Sequence, residues 1–247
     1  MITGDRKTAC ITGASRGIGR ALAEAFAAAG YDLFLTCRRS EALLKQLKED
    51  LENAYPIRCR IFTGDIGDSA QVEQLFSLIE QESARLDVLI NNAGISWHGL
   101  LTDMTLQEWA DMMHTNLDSA FYTSRLAVPI MLRRHAGKIL NISSVWGCAG
   151  ASCEVAYSAA KGGLNAFTQA LARELAPSNI QVNAIACGAI DTEMNHNLSA
   201  EERTALEDEI PAGRFGTPQE VAALALSLCS SPAYLTGQIV RLDGGWI

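Results

Sequence analysis

No apolar run in this chain approaches 18 residues, which leaves no candidate for a membrane-spanning helix. The opening stretch MITGDRKTACITG has no apolar core of the kind a secretion signal needs. Linkers rich in Pro and Gly, internal repeats and low-complexity runs are missing too, so a single domain over 1–247 is expected. Basic charge is short: 20 Lys and Arg against 28 Asp and Glu leave a formal charge of -8. That argues against nucleic-acid binding, since phosphate affinity needs clustered cations. The seven cysteines are odd in number and form no CxxC pair, which points to reduced thiols and a cytoplasmic protein. His98, His114, His135 and His196 do not have the spacing of metal ligands, so no metal is expected.

The composition that remains, 48% hydrophobic and 19% charged, supplies a substantial core. Strand-like runs fall at Thr8–Thr12, Asp32–Cys37, Arg58–Phe62, Asp87–Ile90, Lys138–Ser143, Ile180–Ala186 and Gln238–Leu242, with amphipathic stretches between them. Cys10, Cys37 and Cys59 lie in such runs and should be buried free thiols. Gly30 is placed to stop the first helix, and Asp68 or Ser69 to cap a later one. The alternation predicts a single doubly wound, Rossmann-like α/β domain. About seven parallel strands should carry helices on both faces.

The first strand runs into TGASRGIGRAL, where Gly13, Gly17 and Gly19 allow a tight turn ahead of a helix. The free N–H groups and positive end of that helix suit a pyrophosphate. A ribose-reading acid would stand at the end of the second strand. Here that end reads TCRRSE, with Arg38 and Arg39 after Cys37, while Asp32 lies at the wrong end. Arg38, with Arg16 in the glycine loop, favours a 2′-phosphate and therefore NADP(H). Arg39 fits a solvated side chain equally well.

With these residues in place, the whole chain resembles the short-chain dehydrogenase/reductase family. Thr12–Gly19 is similar to its TGxxxGxG turn, GDIGD to its adenine-contacting segment and NNAG to its fourth-strand motif. The resemblance implies cofactor contacts at Gly13, Ser15, Arg16, Gly17, Ile18, Gly19, Arg38, Asp65, Ile66, Asn92, Ala93 and Gly94. It adds Tyr157, Lys161, Gly188, Ile190 and Thr192. It also implies a catalytic set of Asn116, Ser144, Tyr157 and Lys161, with Ser143 as the alternative serine. PAGRFGTPQEVA and LTGQIVRLDGGW look like the 3-oxoacyl-(acyl-carrier-protein) reductase group. That likeness implies a homotetramer, with Gly237–Trp246 as interface or core.

Tyr157 and Lys161 are one helical turn apart, so both side chains can enter one site. An ammonium about 4 Å from a phenol, at an effective dielectric of about 20, favours phenolate by about 4 kcal/mol. That corresponds to roughly three pKa units. The expected reaction is hydride transfer between NADPH and a ketone. Ser144 would bind the carbonyl oxygen, Tyr157 would protonate it, and Lys161 would tune the phenol and hold the ribose. The resemblance gives Asn116 a water that links the lysine to solvent.

Two departures stand out. Cys187 replaces the family's usual proline after the sixth strand, which could loosen that loop. Positions that hold carrier-gripping arginines near the site entrance in the reductase group read His135 and Ser178 here, with Arg133 and Arg134 close by. An acyl carrier protein is therefore an uncertain partner, and a small ketone, sugar or hydroxysteroid stands beside the 3-oxoacyl thioester as substrate. A non-catalytic NADP sensor is the alternative from another class. Trp97, Trp146 and Met194 could line a substrate pocket or simply pack, and 194–214 could be a substrate lid or a solvated helical stretch.

Overall fold

Seven short apolar runs form the strands: β1 (Thr8–Ile11), β2 (Asp32–Cys37), β3 (Cys59–Thr63), β4 (Val88–Asn91), β5 (Gly137–Ser144), β6 (Ile180–Cys187) and β7 (Ile239–Leu242). Among the described residues nine α-helices lie between them: α1 (Gly17–Ala28), α2 (Glu41–Ala54), α3 (Ser69–Glu82), α4 (Leu106–Met113) and α5 (Ser119–Leu132), then α6 (Trp146–Ala149), α7 (Val155–Leu175), α8 (Ala200–Glu209) and α9 (Pro218–Ser230). This computed structural model describes residues 6–195 and 198–247. His196 lies outside the described residues.

The strands pair in parallel in the order β3-β2-β1-β4-β5-β6-β7. Successive strand side chains point to opposite faces, and this divides the core in two. Ala9, Ile11, Leu33, Leu35, Val88 and Ile90 pack with α1, α2 and α9. Cys10, Phe34, Leu89, Ile139 and Val182 pack with α3, α5 and the end of α7. A sheet buried on both faces needs apolar residues at successive positions, which is why these runs read as continuous rather than alternating.

The helix ends follow local chemistry. Gly30, at φ +83°, lies just past the end of α1, where a side chain would be strained. The Asp68 carboxylate caps α3 by accepting the Ala70 N–H at 2.9 Å. Thr217 and Glu220 form a reciprocal capping box on α9.

Cys187 stands at the end of β6 rather than in the loop that follows. β6 continues through it, in register with Ser144 on one side and Leu242 on the other. Its carbonyl accepts the Val145 N–H at 3.0 Å, and the next N–H, from Gly188, reaches the Leu242 carbonyl at 2.9 Å. His135 also differs from expectation. It precedes β5, at the opposite end of the strands from the glycine loop, and its carbonyl accepts from Asn179 at 2.9 Å. His135 and Ser178 are thus at the opposite end of the strands from the glycine loop rather than beside this chain's own cleft.

Candidate active site

Where the chain leaves β1 to one side and β4 to the other, a crevice opens at the carboxyl ends of the strands. A cleft of about 580 Å³ runs from Arg38 and Arg39 past the glycine loop to Tyr157, Lys161 and Cys187.

The glycine loop is fixed by the start of the NNAG segment. The Asn92 amide donates to the carbonyls of Thr12 at 2.9 Å and Gly13 at 3.0 Å. The Thr12 hydroxyl in turn accepts the N–H groups of Asn92 at 3.0 Å and Ala93 at 3.1 Å. A Cβ on Gly19 would stand 2.1 Å from the Gly13 carbonyl oxygen, so no side chain fits there. No side chain caps the start of α1, which leaves its N–H groups for an anion. An extended, anion-accepting cleft of this kind fits a nicotinamide dinucleotide.

At the ribose end, Arg38 is half exposed and pairs with Asp65 at 2.9 Å. The second Asp65 oxygen accepts the Gly67 N–H at 2.9 Å. Asp32 is buried and held by the main chain and guanidinium of Arg58, at 2.9 Å and 3.0 Å. It is not available to a ribose, as its place at the start of β2 suggests. Arg16 and Arg39 line the same end of the cleft.

At the other end, α7 presents Tyr157 and Lys161, and β5 ends in the two serines. Ser143 is committed elsewhere, since its hydroxyl donates to the Asn165 side-chain oxygen at 2.7 Å. The Ser144 hydroxyl lines the cleft with Tyr157 and opposes the rise of its pKa, and it accepts the Trp146 N–H at 3.2 Å. Between the two serines, only Ser144 joins the tyrosine. Asn116 is buried within a π-helical turn, His114–Asp118. Its carbonyl oxygen accepts the Ile95 N–H at 3.1 Å, and its amide donates to the carbonyls of Ile95 and Met112, both at 3.0 Å. Such turns insert one extra residue into a helix and reposition a side chain.

The electrostatics depart from expectation. Burial raises the Tyr157 pKa, the charges of Cys187 and Glu154 add to the rise, and the Ser144 hydroxyl opposes it. Lys161 is buried, and burial pulls its ammonium down to about 8. Its Nζ donates to the Ile142 carbonyl at 2.8 Å and lies 5.6 Å from the centre of the Tyr157 ring. A lowered tyrosine pKa was expected from an ammonium close to the hydroxyl. The ammonium instead serves a main-chain oxygen, and desolvation of the phenolate dominates. Tyr157 therefore holds its proton at neutral pH, as a proton donor must. Burial pushes the Cys187 thiol up to about 12, so it is not a reactive thiolate.

Nearly all the residues that the sequence singled out for cofactor contact line this cleft. Asp65 stands just behind the lining through its pair with Arg38, and Asn116 behind Gly94, where a Cβ would come 2.6 Å from the Asn116 side-chain oxygen. Met194 lines the cleft, whereas the Trp97 indole N–H is held by Glu108 at 3.0 Å. Three features were not read from sequence: the π-helical turn, Glu154 beside the tyrosine, and the edge-on contact of Trp146 with Trp246 at 4.8 Å. An acid three residues before Tyr157 was a visible signal. The indole contact joins distant segments and had none. Among the described residues, no cluster of His, Cys, Asp or Glu could hold a metal, and no helix is long and apolar enough to cross a membrane.

Comparison with known proteins agrees with this geometry. The short chain dehydrogenase family profile matches residues 7–203. YmfI of Bacillus subtilis, an uncharacterised oxidoreductase, is 41% identical over 97% of this chain and 98% of its own. The 3-oxoacyl-[acyl-carrier-protein] reductase FabG of Aquifex aeolicus is 38% identical over 97% of this chain and 96% of its own. A crystal structure provisionally assigned as a gluconate dehydrogenase of Agrobacterium tumefaciens superposes with a TM-score of 0.92 at 34% identity, covering 98% of this chain and 96% of that one. The chain belongs to the short-chain dehydrogenase/reductase family, and is an oxidoreductase that uses a nicotinamide dinucleotide.

Proposed function

We propose that this protein is an NADPH-dependent carbonyl reductase acting on 3-oxoacyl thioesters, with Ser144, Tyr157, Lys161 and Asn116 as its working residues. The observation that carries this reading is Tyr157, kept protonated by burial and standing with Ser144 in the lining of the cleft. When bound, the dinucleotide supplies the hydride. Ser144 positions the carbonyl oxygen, and Tyr157 gives its proton to that oxygen as alkoxide character develops. The buried Lys161 ammonium stabilises the phenolate left behind and offers a donor to the nicotinamide ribose. Asn116 braces the loop at Ile95, and its turn faces the lysine across Gly94.

NADP(H) is favoured by Arg38 at the end of β2, where no acid stands. Asp65 keeps the guanidinium in place in the meantime. The thioester reading draws support from the FabG reductases, which match at similar identity over nearly their full length. A small ketone, sugar or hydroxysteroid is the second reading, and of these the sugar draws support from the gluconate dehydrogenase likeness. A homotetramer fits the apolar residues exposed on α4 and α5, Leu106, Trp109 and Phe121.

A panel of carbonyl substrates with NADPH and with NADH tests the reading. Acetoacetyl-CoA, simple ketones, sugars and oxosteroids should be compared under matched conditions. The expected result is turnover of acetoacetyl-CoA with NADPH ahead of NADH, and a shift toward NADH in Arg38→Asp. Faster rates with NADH in the parent would overturn the assignment of Arg38. Turnover of sugars alone would overturn the thioester.

A further inference from the structure

We propose that Arg203 is a positioning residue that fastens α8 to the loop carrying Ile190 and Thr192, so that dinucleotide in the cleft steadies the helix beside the substrate. This rests on the cleft being the dinucleotide site. α8 forms from local signals, with Ser199 and Glu202 in a capping box. None of its residues is fully buried, so it has little apolar packing to fix its position. Arg203 supplies a fixed point. Its guanidinium reaches Asp191 at 2.9 Å and Glu207 at 3.2 Å, and lies 4.2 Å above the ring of the buried Phe215.

That ring belongs to the same joint as Asp191. The Asp191 N–H reaches the Gly216 carbonyl at 2.8 Å, the Gly216 N–H reaches the Ala189 carbonyl at 2.9 Å, and Ile190 bridges to Gly216. On its other side the loop meets the glycine turn. The Thr192 methyl lies 3.3 Å from where a Cβ on Gly17 would stand. A continuous path therefore runs from Gly17 through Thr192, Asp191 and Arg203 to α8. The segment that leads into α8 also lines the cleft, at Thr192, Met194 and Asn195. An exposed ion pair alone shifts an equilibrium only a few-fold. Here a planar fork joins two carboxylates and an aromatic face, an arrangement that uses the geometry of arginine as well as its charge.

Hydrogen exchange of the Ala200–Glu209 amides, with and without saturating NADPH and with NADH in parallel, tests this. In the parent, dinucleotide should slow exchange there by about threefold. In Arg203→Met the slowing should vanish, while NADPH affinity stays within about twofold. The KM for a turned-over carbonyl should rise in this variant with kcat little changed. If Arg203→Met fails to fold, Asp191→Ala removes the same contact from the other side and should give the same loss. Slowing equal to the parent's in the variant, or no slowing in a parent that binds dinucleotide, would overturn the proposal alone. Failure of the parent to bind either dinucleotide would instead overturn the reading of the cleft on which it depends.

Discussion

Adjacent on β5, Ser143 and Ser144 point to opposite faces of the strand and meet different partners. Ser143 satisfies Asn165 inside the fold, and Ser144 meets Tyr157 at the cleft. Replacing each with alanine should separate the roles. Ser144→Ala should lower kcat by about 10²-fold, the usual cost of one oxyanion-side donor. Ser143→Ala should leave kcat within a few-fold but cost about 1–3 kcal/mol in urea unfolding, because the buried Asn165 oxygen loses its donor. Equal losses of kcat in both would contradict the assignment. The sequence offered both serines, with Ser144 favoured by the family resemblance, and the structure sets them among different partners. The direction of the tyrosine shift was not. Two residues one turn apart can be placed on one helix face from sequence, but desolvation and the Ile142 carbonyl that takes the ammonium belong to the tertiary structure.

At the level of elements, the strands are placed nearly where the apolar runs predict, since a doubly covered sheet leaves a strong local signature. The π-helical turn at Asn116 was not legible. No residue type marks an extra residue in a helix, and the turn is recognisable only from its backbone pattern and its clasp on Ile95. That clasp leaves no room at Gly94. A Cβ there would approach the Asn116 side-chain oxygen to 2.6 Å, and the oxygen is already held by the Ile95 N–H. Gly94→Ala should therefore destabilise by about 1–3 kcal/mol, the range for overpacking, and weaken dinucleotide binding as the loop shifts. Calorimetry and a fluorescence titration of NADPH would read both effects. An unchanged melting temperature with parent-like affinity would show that the clasp is dispensable.

Across the whole molecule, reduced thiols were expected in the strands, and the fold buries Cys10, Cys37, Cys59, Cys187 and Cys229. Burial pushes Cys10, Cys59, Cys187 and Cys229 each to about 12 from an ordinary 9.0. Raised above their unfolded value, these thiols stabilise the fold below pH 9.0, and that stability is lost as pH rises toward 12. Lys161 acts in the other direction. Its folded value of about 8 lies below 10.5, so its burial penalty is relieved as pH rises through that interval. Four thiols outweigh one lysine, and the urea midpoint should fall between about pH 9 and pH 11, with a shallower fall in Cys10→Ala. A midpoint that stays flat or rises over that range would mean that the thiols ionise freely in the folded state. Domain number and fold class were legible at this scale because alternation of elements and the absence of linkers are global features of the sequence.

The most direct test is Tyr157→Phe, with steady-state reduction of a carbonyl substrate and equilibrium binding of NADPH measured on the same preparation. Removal of the proton donor should lower kcat by about 10²–10⁴-fold and leave NADPH affinity within about twofold, because Ser144, Lys161 and the glycine loop remain. A variant that reduces the substrate at the parent rate would contradict the role of Tyr157 as the acid.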